Sequence, residues 1–221
     1  VENDIVYMKT VKGPLRVDCI YRRLDDTFLD PKAFYKGSVI GVPGLFKAWR
    51  KGNVGILNAI GTGVADDKVV YSYVNKMIVY YLGEQPILNQ VETYLCHDKI
   101  QMDYVIDNIS KLVVKPANAS GGYGIMIGPK APQKEREEVI AKIKKNPREF
   151  IAQPLEILST APTITKNDIE PRHLDLRPFV LSGKSTYVTT GGLTRVALRK
   201  GSTIVNSSQG GGSKDTLIVD I

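Results

Sequence analysis

The spacing of apolar positions changes along the chain, and those changes predict its elements. Residues 5–20, IVYMKTVKGPLRVDCI, read as two strands around a glycine-bearing turn. A polar crossover over 21–34 leads to SVIGVPGLFKAWR (38–50), which reads as a short helix after Pro-Gly punctuation. GNVGILNAIGTGV (52–64) reads as a short apolar strand running into a glycine loop. VVYSYVNKMIVYYLGE (69–84) keeps a helical period to Gly83 despite its β-branched content.

An apolar-spaced run, ILNQVETYL (87–95), then gives way to a short helix within 103–110 and a strand at 112–115. A glycine loop and a second strand at 124–127 follow. Within 130–150, Val139, Ile140 and Ile143 fall on one helical stripe, and the interleaved Lys, Arg and Glu residues form its wet face. Then come a strand EFIAQP (149–154), an irregular polar stretch, and strands within HLDLRPFVL (173–181), STYVTTG (185–191) and TRVALR (194–199). Two further strand-like runs, 202–205 and 216–221, flank the polar segment NSSQGGGSKD (206–215), which is far longer than ordinary hairpin loops. There is no internal repeat. The predicted division falls near 90–110, giving an α/β part over 1–100 and a sheet-rich part over 101–221.

Composition narrows the class. Apolar residues are 43% and charged residues 24%, which excludes wholesale disorder. No apolar run is long enough to span a membrane, and no secretion signal opens the chain. A start at Val1, without methionine, suggests a piece of a longer protein. Two cysteines, Cys19 and Cys96, make neither a disulfide framework nor a metal spacing, so a reduced, cytoplasmic setting is expected. The net charge of +7 suits anionic partners but is scattered, and no nucleic-acid motif accompanies it.

Several stretches carry candidate chemistry, each with a plain structural alternative. In LVVKPANASGGYGIMIG, Lys115 ends a strand before a glycine loop, a pattern that lays backbone N–H groups and one ammonium on phosphates. It is neither a Walker P-loop nor a Rossmann fingerprint, and a structural hairpin with a surface lysine is the alternative. Gln153-Pro154 ends a strand that could offer backbone groups to a nucleotide base, or could be a polar edge strand. His173, Asp175 and Arg177 share one face of an alternating strand, and Arg195 comes from a neighbouring one. Arginine forks bind phosphoryl or carboxylate oxygens, and structural salt bridges such as Asp175–Arg177 are the alternative. His97 and His173 lack a ligand set and read as satisfied polar residues.

In their order, VVKPANASGGYG, IAQPLEILSTAPT, PRHLDLRPFVLSG, GGLTRVAL and VNSSQGGGSKDT resemble the circularly permuted ATP-grasp proteins, relatives of glutathione synthetase and glutathionylspermidine synthetase. VDCIYRRLDDTFLDP, GVPGLFKAWRKGNVGILNAIGTGV and YLGE resemble the segment preceding the nucleotide lobe, so the similarity covers nearly the whole chain. The resemblance implies an α/β fold: an ATP-grasp-like lobe with a largely antiparallel sheet, plus a smaller N-terminal α/β part. It implies an ATP-dependent carboxylate–amine ligase that forms an amide through an acyl phosphate, with small-molecule carboxylate and amine substrates. Lys115 then corresponds to the lysine on the phosphates, and Ser120, Gly121, Gly122, Tyr123 and Gly124 to the loop closing over them. Ile151 to Pro154 correspond to the hinge strand meeting adenine, with Gln153, Pro154 and Leu155 taken as cofactor-binding. Arg195, with Arg177, corresponds to the basic group near the transferred phosphoryl. Asn206, Ser207, Ser208, Gln209, Gly210, Gly211, Gly212, Ser213 and Lys214 correspond to a loop over the acceptor.

One departure stands out. The resemblance implies Mg²⁺ alongside ATP, yet Asn118 and Ala119 leave the lysine–glycine loop without an acidic residue. Most metal ligands are expected outside this chain, with the acidic residues of VDCIYRRLDD as unassigned candidates. A ligase fragment that is catalytically incomplete alone is therefore the leading expectation. A non-catalytic nucleotide-binding or scaffold module of the same fold is the second, and nucleic-acid binding is not expected.

Overall fold

The structure, a computed structural model, describes residues 1–119, 122–165, 168–197, 199–202, 205 and 211–218. The chain forms two compact units, Val1–Ile87 and Leu88–Ile221.

In the first unit, β1 (Tyr7–Thr10) and β2 (Gly13–Arg16) form the expected hairpin, turning at Gly13 with φ 107°. β3 (Cys19–Tyr21) then pairs in parallel with a later strand. Between them lie α1 (Asp26–Leu29), capped by the Asp25 carboxylate on the Thr27 N–H, and α2 (Leu45–Arg50). β4 (Gly55–Leu57) is the partner of β3, completing a small β-α-β crossover. The buried Asp30 carboxylate ties this crossover together, accepting from the N–H groups of Lys32, Gly44 and Phe46. Val6, Leu29, Leu45, Ala48, Val54 and Ile56 form the core. The helix read over 69–84 is two helices, α3 (Lys68–Tyr71) and α4 (Val74–Leu82), interrupted at Ser72 and Tyr73. The Ser72 hydroxyl bonds back to the Val69 carbonyl, the local competition by which serine weakens helix interiors. α4 ends at Gly83 in the left-handed region, as its period predicts.

In the second unit, β5 (Tyr94–Leu95) precedes α5 (Lys99–Asp107), which the Asp98 carboxylate caps. β6 (Leu112–Pro116), β7 (Met126–Ile127), α6 (Gln133–Lys145) and β8 (Phe150–Pro154) follow. The strands make one antiparallel sheet in the order β5-β8-β6-β7. Alternation then sorts the side chains. Tyr94, Leu112, Val114, Met126, Phe150 and Ala152 join Val105 of α5 and Val139, Ile140 and Ile143 of α6 in one core. The opposite face of the same strands carries Thr93, Val113, Lys115, Ile151 and Gln153.

A second antiparallel sheet holds β9 (Thr160–Ile164), β10 (Ile169–Ser182), β11 (Thr186–Val196) and β12 (Gly212–Lys214), in the order β12-β11-β10-β9. β9 lies in the stretch read as irregular. The two strands read at 185–191 and 194–199 are one, running through Gly191 and Gly192. At Gly192 a β-carbon would come within 2.9 Å of the Arg177 carbonyl oxygen, so glycine there marks close strand approach and not a turn. The fold is therefore mixed α/β with mostly antiparallel sheets, as expected. The strand-like run 216–221 differs: Thr216–Leu217–Ile218 lies outside any strand, and the strand beside β11 is Gly212–Lys214, within the polar loop. β11 is completed from that loop because Thr194, Arg195 and Val196 pair with Lys214, Ser213 and Gly212.

Candidate functional site

Lys115 and Gln153 meet on the sheet face opposite α5 and α6, among the buried Val113 and Ile151. Register pairs Lys115 with Ile151 and Val113 with Gln153, so the two polar side chains are diagonal neighbours. The Lys115 ammonium donates to Gln153 Oε1 at 2.6 Å. Gln153 is 7% exposed and donates its Nε2 to Thr93 Oγ1 at 2.8 Å, so both ends of the amide are engaged. β8 is an interior strand, which sets aside the edge-strand alternative. Pro154 is tolerated because β5 is only two residues long and ends before reaching it. Leu155 follows, half-buried.

The loop after β6 is anchored by the Ala117 N–H on the Glu149 carbonyl at 2.8 Å. Gly122 and Gly124 have φ of 80° and 71°, which larger residues rarely adopt. At Gly124 a β-carbon would also lie 2.9 Å from Pro116 Cγ, so the returning strand needs glycine there. Tyr123 is exposed. Ser120 and Gly121 lie outside the described residues.

On the second sheet, Asp175 and Arg195 are register partners, and Arg195 also pairs with Ser213 of β12. Arg195 donates from Nε to Asp175 Oδ1 at 2.8 Å and from its other arm to Oδ2. This hydrogen-bonded carboxylate holds the Arg195 pKa above its usual value, outweighing desolvation. The salt bridge therefore runs from Asp175 to Arg195 and not to Arg177. Arg177, two residues along the same face, is exposed, and its side chain makes no hydrogen bond or ion pair among the described residues. His173 points its Nδ1 at the Leu158 carbonyl, 2.7 Å away, as a satisfied polar residue. Lys214 donates to the Pro162 carbonyl at 2.8 Å. Gly211, Gly212, Ser213 and Lys214 are described, whereas Asn206, Ser207, Ser208, Gln209 and Gly210 lie outside the described residues. Sequence reasoning missed Thr93, whose only signal is register, and gave Gln153 a backbone role alone.

Among the described residues no three His, Cys, Asp or Glu gather as a metal site, and the Asp175 carboxylate is engaged by Arg195. The acidic residues of VDCIYRRLDD are also committed. Asp18 pairs with Arg16, Asp25 caps α1, and Asp26 takes the Gly61 N–H and the Arg22 guanidinium. Arg22 further clamps the carbonyls of Leu24, Asn58 and Ala59, beside a cleft of about 480 Å³ that Arg23, Thr62 and Asp66 also line.

A strand-end lysine, a positive-φ glycine loop and an interior Gln-Pro strand thus lie together in a mixed α/β fold with mostly antiparallel sheets. The chain belongs to the circularly permuted ATP-grasp type 2 family, whose sequence profile matches residues 1–197. An uncharacterized protein of Synechocystis sp. is 54% identical over 220 residues, covering 99% of this chain and 46% of that protein. One from Mycobacterium tuberculosis is 54% identical over 215 residues, covering 97% of this chain and 39% of its own length. A protein of Frankia casuarinae, whose name carries a provisional assignment as glutamate–cysteine ligase 2-2, is 49% identical over 217 residues, 98% of this chain and 25% of that one. The chain thus spans less than half the length of these relatives. No helix among the described residues is long and apolar enough to cross a membrane.

Proposed function

We propose that this chain forms the nucleotide-holding part of a cytoplasmic, ATP-dependent carboxylate–amine ligase. The reaction is transfer of the γ-phosphoryl group to a carboxylate oxygen, then attack by an amine on the acyl carbon with loss of phosphate, leaving an amide. The observation that carries this reading is Lys115: a strand-end ammonium, held by an uncharged amide, beside a loop whose Gly122 and Gly124 favour close backbone approach. Family membership over residues 1–197 supports it.

The roles are those that the resemblance to the family implies, sorted by the charges of the residues described. Lys115 and the N–H groups of the 120–124 loop meet the phosphates, and the end of β8, from Gln153 to Leu155, meets the base. Arg177 offers a positive charge to the transferred phosphoryl, because the charge of Arg195 is already matched by Asp175. Arg195 orients that strand pair, and the 206–214 segment covers the acceptor. Magnesium would supply charge neutralisation on the phosphates in such a reaction, and among the described residues no three His, Cys, Asp or Glu gather to hold it. The Frankia name is of the same class, joining one amino acid's carboxylate to another's amine, and supports the class alone.

A second reading, which the sequence also left open, is a non-catalytic nucleotide-binding or scaffold module of the same fold. The two separate on ADP release from the longest form of the protein, supplied with Mg-ATP, mixed carboxylates and mixed amino acids. ADP released only when both carboxylate and amine are present supports the ligase. ATP binding with no substrate-dependent ADP supports the module.

A further inference from the structure

We propose that Thr93 is a positioning residue for Lys115, acting through Gln153; this rests on the nucleotide role proposed for Lys115. The three side chains come from adjacent parts of one sheet face. Tyr94 pairs with Ala152 and Leu95 with Ile151, so Thr93 falls opposite Gln153 one step beyond β5. Lys115 lies diagonally across on β6. The contacts form a single line: Lys115 Nζ to Gln153 Oε1 at 2.6 Å, Gln153 Nε2 to Thr93 Oγ1 at 2.8 Å, and Thr93 Oγ1 to the Val91 carbonyl at 3.0 Å.

Each link has one allowed direction. An ammonium only donates and a carbonyl only accepts, so the two ends of the line are fixed. The Val91 carbonyl takes the Thr93 hydroxyl proton, which turns a hydroxyl lone pair toward Gln153. The Gln153 NH₂ must then face Thr93, and its oxygen must face Lys115. The reversed amide would set NH₂ against the ammonium, donor against donor, inside a side chain that is 7% exposed. Thr93 therefore selects the amide orientation that gives Lys115 an acceptor. Gln153 is uncharged, so the acceptor it offers Lys115 carries no opposite charge. A carboxylate at 153 would carry one.

The test uses the whole chain with Thr93→Val, Thr93→Ser and Gln153→Glu beside the parent, and two readouts. The first is the pH profile of Lys115 acylation in ligand-free protein, read by peptide mass spectrometry. The second is ATP affinity by calorimetry. Thr93→Val is expected to shift the acylation profile and weaken ATP binding about three- to tenfold, the range of one net hydrogen bond. Thr93→Ser should restore both. Gln153→Glu should move the acylation profile to higher pH and still weaken ATP. Should Thr93→Val fail to fold, Thr93→Ala takes its place, with the same expectations. An acylation profile that is identical in parent, Val, Ala and Ser proteins overturns the proposal. Altered acylation with no ATP binding in any protein overturns the nucleotide role of Lys115, while the Thr93–Lys115 link stands.

Discussion

Asp175 and Arg195 face each other directly across β10 and β11, and the guanidinium grips the carboxylate through two parallel bonds. Their side chains are 28% and 13% exposed, between a surface pair and a fully buried one. Replacing either partner, as in Asp175→Asn or Arg195→Lys, should cost about 1–2 kcal/mol in urea unfolding, with positive coupling in a double-mutant cycle. Lysine does not rescue, because it lacks the planar fork.

Arg177 should behave in the opposite way. It is exposed and unpaired among the described residues, so Arg177→Ala should leave unfolding within about 0.5 kcal/mol of the parent. In the longest form of the protein it should lower kcat/KM by about 100-fold. Equal activity in Arg177→Ala would remove its proposed charge role.

Gly128 is held in place by backbone. A β-carbon there would sit 1.9 Å from the Ile109 carbonyl oxygen and 2.5 Å from that of Leu112. Gly128→Ala should therefore cost about 3 kcal/mol, near the top of the overpacking range. Gly63, with nothing within 4 Å of the same position, should accept alanine within about 0.5 kcal/mol. Thermal melts of the two variants provide the comparison.

The two thiols should differ in chemistry and in pH dependence. Cys19 is exposed, and Cys96 is buried, its pKa raised from 9.0 to about 11 by desolvation. Iodoacetamide at neutral pH should label Cys19 and spare Cys96 in the folded protein, as read by mass spectrometry. The unfolded thiol gives up its proton first, so the stability contributed by the buried, protonated form is whole below pH 9.0 and is lost as pH rises through about 11. Cys96→Ala should flatten that alkaline slope in urea unfolding.

Much of this was legible in the sequence where period or punctuation was strong. The stripe of Val139, Ile140 and Ile143 gave the helix that packs the β5-β8-β6-β7 sheet, and Gly83 gave the end of α4. Reading failed where tertiary contact overrode local signals. Gly191 and Gly192 looked like a break between strands, but the nearness of the Arg177 carbonyl makes glycine fit the strand interior. Gly212–Lys214 looked like loop and is paired to β11, because the ladder, and not local composition, fixes an edge strand. Side-chain partnering was least legible. Asp175 and Arg177 are two apart in sequence, yet the carboxylate chose Arg195, 20 residues away. Thr93 carried no motif at all, and only register brings it to Gln153.

The proposed nucleotide site joins the Lys115 strand, the glycine loop and the Gln153 strand. Hydrogen exchange with and without Mg-ATP, on the parent and on Lys115→Met, tests it most directly. Slower exchange is expected over 112–116, 122–124 and 150–154 on adding Mg-ATP, with no such change in Lys115→Met. Identical exchange in all three segments of the parent, with and without nucleotide, would contradict it.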